Sequence, residues 1–215
     1  MNITKFGQSC LLIEETGTEG NVRIIMDPGS FSTAQNDLKD IDLVLITHDH
    51  GDHLDMDSLK KIVANNPQAE IITNSAVQAI LEKEGIKSEV LANGDTVTKK
   101  RITLEGVGEK HAILINSMPQ IDNVGFIINN RLFYPGDAFT EPGKEIEILA
   151  LPAAAPWAKL SEIVDYALAV KPKVAFPVHD SILAHPTMMQ GMFVPFLEKM
   201  GIAFQPVELN KEYKF

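Results

Sequence analysis

Cysteine is almost absent from this sequence: Cys10 is the one cysteine among 215 residues. An intramolecular disulfide is therefore excluded, and we expect a cytoplasmic protein whose thiol is buried in a strand. No apolar run approaches the roughly 20 residues that a membrane-spanning helix needs. The first residues also lack the basic segment and apolar stretch of a secretory signal. These absences predict a protein that neither crosses a membrane nor is exported.

Basic residues are scarce as well, with 19 Lys and Arg against 29 Asp and Glu and a net charge of −10. Proteins that bind long polyanions need a basic face to displace counterions. Nucleic acid is therefore disfavoured as a partner, a small-molecule substrate is expected, and homo-oligomer formation is left open. The hydrophobic content of 45% is ordinary for a globular protein. At this length we expect one domain over residues 1–215.

Histidine, by contrast, is concentrated: residues 47–53, Thr-His-Asp-His-Gly-Asp-His, hold three of the six histidines. This segment follows an apolar run at 41–46, predicted to be a buried strand, and precedes a predicted helix at 56–65. Loops that leave the carboxyl ends of strands are where α/β folds bind their ligands. A solvated acidic loop is the alternative, but three histidines so close together favour a metal site.

The spacing within this segment predicts two ions rather than one. If the loop is extended, His48 and His50 point to the same side and bind one ion. Gly51 then permits a turn that other residues resist. Beyond it, Asp52 and His53 are directed at a second ion.

Three more polar residues directly follow predicted strands. Asp27 ends a strand at 22–27, Asp137 follows a strand at 131–134, and His179 follows a strand at 173–178. If these strands share one exit edge with the histidine segment, the side chains converge. For Asp27, a turn-initiating role before Pro28 is an equally good interpretation as orienting the histidine loop.

The remaining pattern alternates strands with helices, which predicts an α/β architecture. Turns are predicted at 17–20 and 129–130, and a hairpin at 93–95, Asn-Gly-Asp. A final helix at 187–200 carries a methionine stripe that we interpret as adaptable core. A strand at 203–207 and a polar tail are predicted to end the chain.

These residues together resemble the metallo-β-lactamase-fold hydrolases. The likeness rests on the His-x-His-x-Asp-His segment, Asp27-Pro-Gly, the isolated His111, Tyr-Pro-Gly-Asp at Asp137 and Pro-x-His at His179, in the family's order. The opening segment Phe-Gly-Gln-Ser-Cys-Leu-Leu-Ile is most similar to the L-ascorbate-6-phosphate lactonase-like branch. The resemblance implies a four-layer αβ/βα sandwich, α/β in class, with two mixed sheets and helices on the outer faces.

The resemblance also implies a dinuclear centre. One ion would be held by His48, His50 and His111 and the other by Asp52, His53 and His179, with Asp137 between them and Asp27 behind the loop. Zn²⁺ is favoured, with Mn²⁺ or Fe²⁺ as alternatives.

The implied activity is hydrolysis of a small-molecule ester, lactone or phosphoester by a metal-bridging hydroxide, with Asp52 as the catalytic proton carrier. A phosphodiesterase or nuclease and a non-catalytic metal-binding protein are the alternatives. Trp157 either lines the substrate cleft or packs at a helix start.

Overall fold

Fourteen strands and four helices form within the residues that the structure, a computed structural model, describes, namely 1–17 and 20–215. The strands are β1 (Asn2–Lys5), β2 (Leu11–Gly17), β3 (Gly20–Met26), β4 (Leu43–Ile46), β5 (Glu70–Thr73), β6 (Glu89–Val90), β7 (Thr96–Lys99), β8 (Ile102–Val107), β9 (Gly125–Ile128), β10 (Leu132–Tyr134), β11 (Ile148–Pro152), β12 (Val174–Val178), β13 (Ala203–Phe204) and β14 (Glu212–Lys214). The helices are α1 (Met56–Asn65), α2 (Ser75–Lys83), α3 (Leu160–Val170) and α4 (Pro186–Lys199). Residues 18 and 19, the centre of the turn predicted at 17–20, lie outside the described residues.

The strands form two mixed seven-stranded sheets. The first has the order β14-β1-β2-β3-β4-β5-β6 and the second β13-β12-β11-β10-β9-β8-β7. In each, antiparallel pairs occupy one half and parallel pairs the other: β3 to β6 are parallel in the first sheet and β10 to β13 in the second. Strands β4 and β11 are buried at every position, and β12 is buried at all but its first residue. The reason is that parallel strands are covered on both faces.

The buried side chains show what covers those faces. One core lies between the sheets and includes Leu45 and Phe176. A second core joins α1 and α2 to the outer face of the first sheet, and a third joins α3 and α4 to the second. The predicted four-layer αβ/βα sandwich is therefore confirmed.

The helix starts follow from local side chains. The carboxylate of Asp55 accepts a hydrogen bond from Ser58 N at the start of α1, and Asn74 Oδ1 accepts one from Val77 N at the start of α2. Such caps satisfy amide donors that have no partner inside the helix. Because α1 and α2 follow β4 and β5, their starts lie at the edge where the parallel strands end.

One predicted element is wrong. Residues 93–95 do not form a hairpin turn, because β6 pairs with β5 in the first sheet while β7 pairs with β8 in the second. The chain crosses between the sheets there, and a turn signal does not specify which strands pair. The polar tail contains the edge strand β14, which pairs with β1. The strand predicted at 203–207 covers only its first two residues.

The methionine stripe of α4 is not core, contrary to the prediction. Met188 is 64% exposed, Met192 46% and Met200 63%, and Phe196 continues the same stripe at 61%. Only Met189 packs against the core beneath the helix, next to Phe193. The exposed residues Met188, Met192, Phe196 and Met200 recur at every fourth position, so they share one face of the helix. That face points away from the sheet.

Candidate metal centre

All seven predicted ligands meet at one place. Their donor atoms form two groups within which all atoms lie within 4.8 Å of one another. The first group is His48, His50, His111 and Asp137; the second is Asp52, His53 and His179. Apart from His50 and Asp52, which are partly exposed, these residues are buried. The loops after β4, β8, β10 and β12 supply them from both sheets.

Asp137 lies between the two groups. Its Oδ2 is 3.3 Å from His111 Nε2 in the first group and 3.0 Å from His179 Nε2 in the second. Its Oδ1 is 3.1 Å from His53 Nε2. Trp157, the one tryptophan in the sequence, donates an indole hydrogen bond of 3.0 Å to Asp137 Oδ2. This carboxylate thus touches both halves of the centre.

The histidine rings are oriented by contacts at their outer nitrogens. His53 Nδ1 is 2.7 Å from Asp27 Oδ2, His179 Nδ1 is 2.8 Å from Ala154 O, and His111 Nδ1 is 2.5 Å from Ala112 O. A nitrogen that donates to a carboxylate or carbonyl leaves the opposite ring nitrogen as the one that binds metal. Each of these rings therefore directs Nε2 into the centre.

Asp27 holds the histidine loop in place. Its Oδ1 accepts from Thr47 N and its Oδ2 from Thr47 Oγ1, both at 2.7 Å. Because that hydroxyl proton is given to Asp27, Thr47 Oγ1 is free to accept from His48 Nδ1 at 2.9 Å. Asp27 has a φ of 44° and His179 a φ of 63°, a region that costs free energy in residues other than glycine.

The local path of the loop differs from the predicted one. Residues 50–54 form a tight turn in which His50 O accepts from His53 N and Leu54 N. Gly51 is not in a left-handed conformation, and a Cβ there would meet nothing within 4 Å. The glycine that the loop requires is Gly29, because a Cβ on it would lie 1.9 Å from Asp52 O. The close approach is between two loops, which spacing within one loop does not reveal.

An unsatisfied buried nitrogen and the nature of the donors indicate that a cation fits here. His48 Nε2 is fully buried and makes no hydrogen bond. Buried polar atoms without a partner are costly, and His48 belongs to the same ligand group as His50, His111 and Asp137. A donor set of imidazole nitrogen and carboxylate oxygen, with no thiolate, suits Zn²⁺, Mn²⁺ or Fe²⁺. The residues present therefore fit divalent ions.

Burial and neighbouring charges shift the pKa values of the histidines in the centre. Burial alone would lower the pKa of His179, but hydrogen bonds to Asp137 and Asp52 raise it to about 9. Burial also opposes a charged His53, yet Asp137 and Asp27 hold its pKa well above the usual value. Burial and the neighbouring His53 keep the pKa of His48 well below its usual value. Without a metal ion, protons on His53 and His179 thus neutralise the carboxylates.

This protonation predicts the pH dependence of the metal-free protein. From about pH 6.5, the usual histidine pKa, to pH 9, folded His179 keeps a proton that the unfolded chain has lost. Its stabilising contribution is therefore full below about pH 6.5 and is lost as the pH rises through 9, by up to about 1.4 kcal/mol per pH unit. We expect urea unfolding in chelator to give a lower free energy at about pH 8.5 than at pH 6.5, and His179→Gln to reduce the difference. A free energy that rises over this range would contradict the assigned charges.

Residues near the amino terminus also enter the centre, and sequence reasoning missed them. Ser9 Oγ lies 3.0 Å from His53 Nε2, and Gln8 Nε2 lies 3.0 Å from His179 Nδ1. Lys5 is buried and forms an ion pair with Asp180, directly after His179. The signal that could have found them is the pair of buried polar residues at 8–9 between two apolar strands.

A concave surface of about 660 Å³ lies away from the metal ligands. Its lining includes Lys144, Glu147 and Lys173, where β11 and β12 begin. Those charges are already paired, Lys144 with Glu105 and Lys173 with Glu147. It lies at the edge opposite the metal ligands and holds none of them.

Among the described residues, no helix is both long enough and apolar enough to pass through a membrane. This agrees with the absence of long apolar runs in the sequence.

Comparison with known proteins gives matches over nearly the whole chain. The model of one family, the β-lactamase superfamily domain, matches residues 2–179. Protein Rv0786c of Mycobacterium tuberculosis is 38% identical over 189 residues, which are 86% of each chain. The UPF0173 metal-dependent hydrolase MJ1163 of Methanocaldococcus jannaschii is 22% identical over 214 residues, 93% of this chain and 94% of that one. In structure, the chain is similar to Igni18, a metallo hydrolase of the archaeon Ignicoccus hospitalis, with a TM-score of 0.78 and 20% identity over 100% of this chain and 98% of the other.

Proposed function

Because this chain belongs to the family of the β-lactamase superfamily domain, we propose that it is a dinuclear zinc hydrolase of a small-molecule ester, lactone or related acyl compound. The observation that carries the proposal is the meeting of seven ligand side chains from both sheets, among them His48, whose buried Nε2 has no hydrogen-bond partner. A purely structural cluster would give such an atom a partner.

The two groups of donors define which residues would hold which ion. His48, His50 and His111 form one set, and Asp52, His53 and His179 form the other, with Asp137 shared. Bound there, two divalent ions would supply an activated water at neutral pH and would polarise the scissile bond. Zn²⁺ is proposed over Mn²⁺ or Fe²⁺ because nitrogen donors predominate.

The protein's own groups have separate tasks. Asp52 is the acid that reaches solvent: its side chain is 22% exposed, and its Oδ2 lies 3.2 Å from His179 Nε2. Burial opposes its charge, yet the hydrogen bond to His179 and the charge of His53 lower the pKa of Asp52 to about 2. It is thus ionised at neutral pH and positioned to accept a proton at Oδ2 and pass it to a leaving group. The Trp157 indole fixes Asp137 and forms one wall of the centre.

The test is metal analysis combined with a matched substrate panel. Protein purified without chelator and supplied with zinc is expected to hold about two equivalents and to cleave a p-nitrophenyl ester or a lactone, and EDTA is expected to abolish the activity. Cleavage of bis(p-nitrophenyl) phosphate or nucleic acid alone would instead assign a phosphodiesterase. Two bound equivalents with no turnover of any substrate would assign a binding protein. No bound metal after supply would overturn the proposal.

The likeness to the L-ascorbate-6-phosphate lactonase-like branch stays a prediction. It rests on the opening residues, and the family match does not separate this branch from others. The surroundings of the centre bear on it, because a phosphate group that is not itself cleaved needs a cationic side chain of its own.

A further inference from the structure

We infer that the substrate of this centre carries an uncharged apolar group, such as an aliphatic acyl chain, and no phosphate or carboxylate. The inference rests on the proposed function, because it concerns the same centre. It is drawn from the loops that surround the ligands and from the residues they expose.

Besides the histidine segment, which carries Asp49 and Asp52, four loops lie next to the ligands in space or in the chain. They are residues 28–36, 112–121, 153–158 and 181–185, thirty residues without Asp, Glu, Lys or Arg in a chain that is 22% charged. The first packs on Asp52 through Gly29, and the second directly follows His111. The third holds Trp157, and the fourth comes two residues after His179. These four loops thus offer a substrate no Asp, Glu, Lys or Arg side chain.

The same loops expose large apolar side chains. Among the described residues, the exposed large hydrophobic side chains on these loops are Phe31 (50%), Ile113 (54%), Leu114 (40%), Ile115 (57%), Met118 (55%) and Ile182 (43%). Single exposed apolar side chains are common on protein surfaces, but a group of them usually marks a binding site. Four of the six belong to the single loop that follows His111.

A cavity connects that loop to the metal ligands. Its volume is about 40 Å³, and it is lined by His50 and His111 on one side and by Ile113, Ile115 and Met118 among others on the other. One water needs roughly 10–15 Å³ measured in this way, so the cavity has room for a short alkyl segment. A longer chain would continue over the exposed side chains of the loop.

Two lysines lie close to the ligands among the described residues, and both are already paired. Lys110 directly precedes His111, but its Nζ forms an ion pair with Asp122. Lys5 lies close to His179, but it is buried and paired with Asp180. A phosphate or carboxylate that is not itself the group cleaved at the metal ions would therefore lose its hydration without gaining either lysine as a partner. This disfavours a substrate with a second anionic group, such as a phosphorylated lactone.

The test compares p-nitrophenyl acetate, butyrate and octanoate, with p-nitrophenyl hemisuccinate as the charged match for butyrate. For the zinc-loaded protein, we expect kcat/KM to rise at least about tenfold from acetate to octanoate, since each buried methylene favours binding. Butyrate should exceed hemisuccinate by at least about tenfold. The fluorescence of Trp157 measures binding without turnover. The octanamide concentration that saturates the fluorescence change should be at least about tenfold lower than the acetamide concentration that does so.

Two methionines provide a matched pair of variants. Met118→Ser should reduce the octanoate-to-acetate ratio at least threefold, whereas Met200→Ser, as exposed but at the far end of α4, should leave it unchanged. Zinc content and melting temperature show that each variant is folded. Equal reduction by both variants would overturn the inference.

The remaining outcomes separate this inference from the proposed function. Hydrolysis that is independent of chain length, or faster with hemisuccinate, overturns the inference and leaves the hydrolase intact. No hydrolysis of any ester or lactone at two zinc equivalents overturns the proposed function. A flat series together with a dimer that Met118→Ser dissociates would assign the apolar loops to a second copy of the chain, and would also overturn the inference.

Discussion

Asp137→Asn is expected to reduce kcat/KM by at least about 10³-fold, equivalent to about 4 kcal/mol of barrier, and to lower bound zinc from about two equivalents to one or fewer. The reason is that Asp137 contacts His53, His111 and His179, which belong to both ligand groups. Asparagine keeps the size of the side chain and an acceptor for Trp157, but it removes the charge and one anionic oxygen. Zinc content by mass spectrometry and ester hydrolysis, measured on the same preparation, check both effects.

Asp49→Asn is the matched control for this variant. Asp49 lies within the histidine segment, but it is exposed and belongs to neither ligand group. This substitution removes the same charge directly beside His50 and is expected to keep both zinc equivalents and nearly full activity. If Asp137→Asn retained two equivalents and wild-type turnover, Asp137 would not be shared between ions and the dinuclear proposal would fail.

Gly29→Ala is expected to cost about 3 kcal/mol of folding free energy and to lose at least one zinc equivalent. The new methyl group would lie 1.9 Å from Asp52 O and 2.7 Å from His53 N, both backbone atoms that cannot rotate away. The loop after β3 and the histidine loop would have to separate, and Asp52 and His53 would move with them. For a domain of this length, the melting temperature should fall by roughly 10 °C.

Gly51→Ala tests whether this effect is specific. It makes the same change in the same pair of loops, but the added Cβ meets nothing within 4 Å and the backbone is not left-handed. Its melting temperature and zinc content should match the wild type. If the two alanine variants behaved alike, the close approach of the two loops would not govern the centre.

Local patterns in the sequence predicted most of the elements correctly. The helix predicted at 56–65 begins and ends within one residue of α1, because Asp55 caps it and the residues Asn-Asn-Pro end it. The predictions failed where contacts between segments far apart in the sequence determine the structure. The segment at 93–95 has the composition of a hairpin turn, but its flanking strands belong to different sheets. The α4 methionines have the spacing of a buried stripe, yet it is Phe193 and Leu197 that face the core.

The candidate ligands were accessible to sequence reasoning because they lie in the segments that follow β4, β8, β10 and β12 and match the motifs of the family that the sequence resembles. Position at a strand end is a local property, and residue type specifies the metals that suit it. The contacts of Ser9 with His53 and of Trp157 with Asp137 join residues far apart in the chain. No local signal encodes such a pair.

By itself, therefore, the sequence determined the ligand types, the strand ends that carry them and the α/β class, because periodicity and residue chemistry are local. Only the tertiary structure decided that Trp157 donates a hydrogen bond to Asp137 and that Gly29 lets two loops touch. It alone decided that uncharged apolar loops surround the centre. Those features depend on distances between segments, and such distances are set when two sheets pack face to face and bring their strand ends to one edge.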